Sequence, residues 1–222
     1  KSCSLIGHLA DTTATITNFS NGCLFFAFLC VSLPNSSPLF TGPVLRLGGA
    51  MQDGDMSKQV ADEFEHLLNE SMRKIRHCVG QLNDEQLWNK PGDGLNSVAN
   101  LLLHMAGNLQ QWCVAGIIEQ PDDRDRSAEF AATHGPSGDK LLRRLETVVE
   151  DAVSVMRSLD ESSLGRARQI QGFDVTVMQA LFHTVPHFVG HTHQILMLTR
   201  LALGTEYQFE WSPEQSRTGV PL

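Results

Sequence analysis

Between residues 57 and 203 the apolar side chains recur at three- and four-residue steps in four long runs, and few folds accept such a chain. The first run, residues 57–80, carries Val60, Phe64, Leu67, Leu68, Met72, Ile75 and Val79 on one stripe, with Ser57 as its N-cap. The second opens after Asn96 or Ser97, carries Val98, Leu101, Leu102, Met105, Leu109, Trp112 and Ile117, and ends before Pro121. The third begins near Ser137 or Asp139 and includes Leu141, Leu145, Val148, Val149, Ala152, Met156 and Leu159. The fourth opens at Thr176, where Thr176-Val-Met-Gln179 fits a capping box, and is stopped by Gly204. No strand alternation stands out, so the pattern predicts an all-α four-helix bundle. The links after the second and third helices run to about 15 residues, longer than a bundle requires, and such loops often roof a site.

The first fifty residues read differently. Their only charges are Lys1, Asp11 and Arg46, and the apolar stretch 23–31 is followed by a Pro/Ser/Gly-rich segment. A secretory signal would need a basic n-region and a small-residue cleavage site, but Lys1 is the only base before the apolar stretch and no A-x-A follows it. Residues 1–50 are therefore expected to be a non-domain extension, irregular, disordered or upstream sequence. The bundle domain is expected to occupy residues 51–222, with Met51 or Met56 near its start.

Charge narrows the partners. Asp and Glu outnumber Lys and Arg by 25 to 17, a net charge of -8, with no basic block to draw in a phosphate backbone, so no nucleic acid partner is expected. No apolar run reaches the ~18 residues of a spanning helix, so no membrane partner is expected either. The five cysteines form no C-x-x-C pair, which points to free thiols in a reducing compartment and a cytoplasmic location.

Chemistry collects on the histidines. Four of the nine, His183, His187, His191 and His193, fall within eleven residues of the fourth helix. The first three follow at i, i+4 and i+8, on one stripe. Neighbours four apart have Cβ atoms about 5–6 Å from one another, so two imidazoles can meet on one cation. Residues eight apart are about 12 Å apart along the axis, so this helix should supply a pair and another helix the third ligand. His104 is the donor on offer: it sits mid-way along the second helix, in Leu101-Leu-Leu-His-Met-Ala-Gly-Asn108, beside a polar strip that includes Asn108 and Gln111. Pro186, inside the fourth helix, is expected to bend it and so either to aim His187 at the site or to favour the His183/His187 pair. His193 reads as surface. H-E-x-x-H, G-x-S-x-G, Walker-A and G-x-G-x-x-G segments are all missing, and only Glu63-Phe-Glu-His66 fits the Glu-x-x-His of di-iron bundles.

These segments carry a resemblance. Asn100-Leu-Leu-Leu-His-Met-Ala-Gly-Asn108 with Trp112, together with His187-Phe-Val-Gly-His-Thr-His-Gln-Ile195, resembles the DinB/YfiT-like superfamily of metalloenzymes, and most of all an uncharacterised bacterial branch of it. The resemblance spans roughly residues 56–204. It implies a four-helix bundle holding one divalent metal by three His near one end, commonly in homodimers. On this sequence the implied ligands are His104, His187 and His191, with Gln194 matching the Gln three residues after the last of them. Relatives include thiol-dependent transferases, using bacillithiol or mycothiol, and maleylpyruvate isomerase.

Three neutral imidazoles would leave a divalent ion its full charge and an open position, suited to ionising a water or a thiol. The expected protein is thus a metal-dependent enzyme, a thiol-dependent transferase or a hydrolase acting on a small molecule, with a low-molecular-weight thiol as a candidate partner. Zinc or nickel is the expected metal, with iron or manganese as further candidates. Asn108, Gln111, Gln194 and His183 are the candidates for supporting the ligands or touching substrate. Arg and Lys of the 121–140 loop could pair with carboxylates. No catalytic residue is assigned, and the competing expectation is a non-catalytic helical bundle that binds metal or a partner protein.

Overall fold

The computed structural model describes residues 55–210, and the segment 1–50 lies outside the described residues. Four long helices form the bundle. They are α1 (Asp55–Val79), α3 (Val98–Leu109, prolonged by a π-helical turn Gln110–Ala115 and by α4, Gly116–Ile118), α6 (Gly138–Ser158) and α8 (Val177–Leu203). Shorter helices α2 (Asp84–Trp88), α5 (Arg126–Ala131) and α7 (Glu161–Leu164) occupy the links. Both α1 and α3 pack against α6 and α8, so α3 and α8 are lateral neighbours. That adjacency lets His104 meet the histidines of α8. No helix among the described residues is long and apolar enough to cross a membrane.

The stripes read from the sequence are the ones buried. Phe64, Leu68, Met72 and Ile75 of α1, Leu141, Leu145, Val149 and Met156 of α6, and Leu181, Val185, Phe188 and Ile195 of α8 close on one core. Cys78 and Cys113 are free thiols buried within it, and burial pushes the Cys113 thiol up to about 12. The capping box at Thr176 forms as expected, its hydroxyl accepting from the Gln179 N–H at 3.2 Å while Gln179 Oε1 accepts from the Thr176 N–H at 2.8 Å. A second box, Ser97 with Asn100, starts α3.

α3 is covered on nearly every side. Two of its faces meet α6 and α8, and another is roofed by α5, from the link expected to be a loop. This explains why its sequence is apolar almost all round. The link between α6 and α8 also holds structure, an antiparallel hairpin of β1 (Ala167–Ile170) and β2 (Phe173–Thr176), with Ile170 paired to Phe173 across the turn. Gln171 (φ 54°) and Gly172 (φ 81°) make its tip, both in the left-handed region that a two-residue type I′ turn demands. α8 runs through Pro186 without interruption; the proline removes one backbone donor and leaves the Phe182 carbonyl without its helical partner.

Candidate metal centre

His104 enters from the middle of α3 and is almost wholly buried, while His187 and His191 enter from successive turns of α8. All three present Nε2 to a common point. His104 Nε2 lies 3.3 Å from His187 Nε2, and His191 Nε2 lies 3.0 Å from the same atom. The three are the group of His, Cys, Asp or Glu side chains, among the described residues, whose ligand atoms come close enough together to hold a metal ion. Three nitrogens at about 2.0–2.1 Å from a tetrahedral ion would stand about 3.3–3.4 Å apart, so the spacing needs little adjustment.

The opposite edges of the rings decide which nitrogens carry protons. His191 Nδ1 faces Gln194 Oε1 at 2.8 Å, an acceptor, so it holds its proton and leaves the Nε2 lone pair turned inward. His104 Nδ1 lies 3.1 Å from Glu129 Oε2 and 3.0 Å from Arg124 Nη2. Arg124 already grips Glu129 with both arms, Nε to Oε1 at 2.7 Å and Nη2 to Oε2 at 2.8 Å, and its Nη2 also reaches His104 O at 3.4 Å. The guanidinium is thus supplied with oxygen acceptors, and the Nδ1 proton belongs to the carboxylate. His187 Nδ1 is buried with no hydrogen-bond partner among the described residues. Two inward lone pairs beside a third imidazole make an arrangement that a cation relieves; the donor set therefore fits a divalent metal.

Electrostatics agree. Burial lowers the His187 pKa to about 2, helped by the charges that His191, His104 and His183 would carry and by Arg124. Burial likewise lowers His191, against the opposing hydrogen bond from Gln194, and lowers His183. These rings stay neutral, the state a ligand needs. Burial pushes the Glu129 carboxyl up, but the hydrogen bonds and charge of Arg124 and His104 together outweigh it and hold the group below its usual range.

Around this core stand aromatic walls. Phe130 packs 4.6 Å from the His104 ring, and Arg126 lies over the Phe130 ring at 4.9 Å. His183 is not drawn into the triad: it stacks on Trp112 at 4.0 Å and lies 5.9 Å from the His187 ring. Trp112 Nε1 in turn donates to Gln171 Oε1 at 3.3 Å, tying the hairpin tip to the π turn. Gln111 Oε1 accepts from Arg124 Nη1 at 3.0 Å and from Gln171 Nε2, while its own amide donates to Asp122. Asn108 Oδ1 accepts from Thr184 Oγ1 at 2.8 Å in the buried seam between α3 and α8. His193 is exposed, as read. A cavity of about 430 Å³ borders Gly107, Arg124 and Glu129, but none of the three histidines lines it.

Glu129 and Arg124 are the site residues that sequence reasoning did not single out. The available signal was limited to Asp125, which caps α5 by accepting from the Ala128 N–H at 2.9 Å and marks a helix start without marking which face turns inward.

Residues 55–213 match the family described as "Protein of unknown function (DUF1572)". Two solved structures share the fold. One is a DinB-like protein from Bacillus cereus, 15% identical, with a TM-score of 0.51, covering 64% of this chain and 91% of that one. The other is a conserved protein from Enterococcus faecalis, 18% identical, with a TM-score of 0.53, covering 64% and 96%. No functionally curated protein matches. On the family match the chain belongs to the DUF1572 family, and it shares its fold with a DinB-like protein.

Proposed function

We infer that the protein is a metal-dependent enzyme acting on a small molecule, with His104, His187 and His191 holding one divalent ion through Nε2. The convergence of those three nitrogens within 3.0 and 3.3 Å is the observation that carries this reading. An all-imidazole set favours zinc or nickel, with iron or manganese as further candidates. When bound, the ion would supply a full positive charge and an open position at which a water or a thiol loses its proton near neutral pH. The chain's own groups do the rest. Glu129 and Gln194 hold the Nδ1 protons of His104 and His191, and Phe130 packs an aromatic ring against His104.

The thiol-transferase type suits the site better than the hydrolase type. Hydrolysis gains from a free general base beside the nucleophile. The carboxylate bonded to the triad, Glu129, is spent on Arg124 and His104. A thiol needs only to be ionised and oriented.

A homodimer in the cytoplasm completes the proposal. Phe182, Met197 and Leu201 stand out from α8 at 56%, 57% and 63% exposure, an apolar strip suited to a second copy, and the free thiols of Cys78 and Cys113 suit a reducing compartment. Metal analysis of the purified protein tests the centre. One ion per chain is expected, lost in His104→Ala and in the His187→Ala/His191→Ala pair. Stoichiometric metal that survives all three substitutions refutes the assignment.

A further inference from the structure

The three imidazoles are supported unequally. His191 Nδ1 meets a neutral amide, Gln194, on the exposed side of α8, and His187 Nδ1 meets no hydrogen-bond partner among the described residues. His104 alone meets a carboxylate, and that carboxylate is itself clamped by a guanidinium through two parallel bonds. The side chains of Glu129 and Arg124 are only 10% and 4% exposed.

Much structure is devoted to bringing Glu129 there. Asn100 Nδ2 donates to the carbonyls of Glu129 and Ala132, both at 2.8 Å, and Lys90 Nζ donates to the Phe130 carbonyl at 2.8 Å. These bonds pin the C-terminal end of α5, the two from Asn100 against α3 itself, while the Asp125 cap closes its N-terminus. On α3 itself, Gly107 stands one turn beyond His104, and a Cβ there would land on Glu129 Oε1. Docking α5 would be served as well by an apolar contact, because burying a charge pair costs desolvation that its attraction only partly returns. A buried carboxylate aimed at an imidazole does what an apolar contact cannot: it accepts the ring proton and makes the far nitrogen a better donor.

We propose that Glu129, held in place by Arg124, is the positioning residue of His104, fixing its proton on Nδ1 and making it the strongest of the three metal donors. The proposal rests on the metal reading above. It implies an order among the ligands: losing the support behind His104 should cost more than losing the support behind His191.

The test uses the full chain with zinc as probe, titrated against a competing chelator. Glu129→Ala should weaken zinc binding about 10- to 100-fold, Glu129→Gln less because a neutral acceptor remains, and Gln194→Ala least. Cobalt substituted for zinc should show its visible absorption bands displaced in Glu129→Gln, which a contact that merely docks α5 would not produce. Long-range proton–nitrogen NMR of the metal-free parent should show His104 protonated at Nδ1. Zinc affinities of Glu129→Ala and Glu129→Gln within twofold of the parent would overturn the proposal, as would a Gln194→Ala loss equal to that of Glu129→Ala. So would a His104 proton found on Nε2. Should Glu129→Ala fail to fold, Glu129→Gln and the parent's tautomer still decide. A parent that takes up no zinc refutes the metal reading, whereas an Nε2 proton on His104 refutes the role of Glu129 alone.

Discussion

Gly107→Ala puts the pair behind His104 to the test from the side of α3. An ideal Cβ at this position falls on Glu129 Oε1, and stands 2.7 Å from Arg124 Nε and 3.1 Å from Glu129 Cδ. Either the helix and α5 spread, or the carboxylate leaves its partners. Spreading an overpacked contact costs about 1–3 kcal/mol. Abandoning a largely buried ion pair costs about 3–5 kcal/mol, since the separated charges remain mostly removed from water. The cheaper route is the first, a loss of about 1–3 kcal/mol, which in a domain of this size lowers the Tm by about 3–10 °C. Gly165→Ala is the matched control: it has no atom within 4 Å of its ideal Cβ and an ordinary backbone at φ -85°. There the smaller entropy of the unfolded chain should leave stability unchanged or raise it by up to about 1 kcal/mol. Thermal and urea melts of the two metal-free variants, followed by circular dichroism, make the comparison. A Gly107→Ala protein melting within about 2 °C of Gly165→Ala would show that the Arg124–Glu129 pair yields freely, and the account of a rigid support would fall.

Other outcomes follow from the same geometry. Chelation should leave the helical circular dichroism intact, because Phe188, Leu68, Met105 and Leu145 bury the bundle core without help from the site; unfolding on chelation would favour a metal that staples the fold. The metal-free protein should lose stability as pH falls below about 6.5. His187 titrates near 6.5 when unfolded but only at about 2 when folded, so between those values the unfolded chain binds a proton the native chain refuses. That one group contributes a slope of about 1 kcal/mol per pH unit, and His191 adds to it in the same direction. A flat stability profile between pH 4 and pH 6.5 in urea melts would contradict the burial of these rings. Thr184→Val should cost about 1–3 kcal/mol by stranding Asn108 Oδ1 in the seam between α3 and α8, and an unchanged melt would mean that water reaches that atom.

The four long helices were legible because each must bury one stripe, and Phe64, Leu101, Leu145 and Phe188 sit where the three- and four-residue steps put them. The starts of α3 and α8 were legible for a local reason too, since Ser97 with Asn100 and Thr176 with Gln179 cap one another whatever surrounds them, whereas α1 begins at Asp55, ahead of the Ser57 expected to cap it. His104, His187 and His191 were brought together as the resemblance implied, on two helices that prove to be neighbours. The links were not legible. The six residues of α5 and the four-residue strands are too short for a periodic pattern, and their form is set by contacts with α3 and the π turn. Glu129 lay hidden for that reason: in a charged stretch from 122 to 129 nothing marks which carboxylate turns inward, and the decision is made by Asn100, Lys90 and Gly107 from distant segments.

The π turn at Gln110–Ala115 has a consequence for how relatives of this protein can diverge. A π turn amounts to one extra residue threaded into a helix, so everything beyond it is rotated by about 100° from where an unbroken α-helix would place it. Removing that residue would swing the Trp112 indole off His183 and carry Gln111 away from the hairpin tip, while His104, upstream, kept its place beside the α8 pair. Single-residue insertions and deletions there would remodel what the centre admits without disturbing the histidines themselves, a cheap evolutionary dial on selectivity.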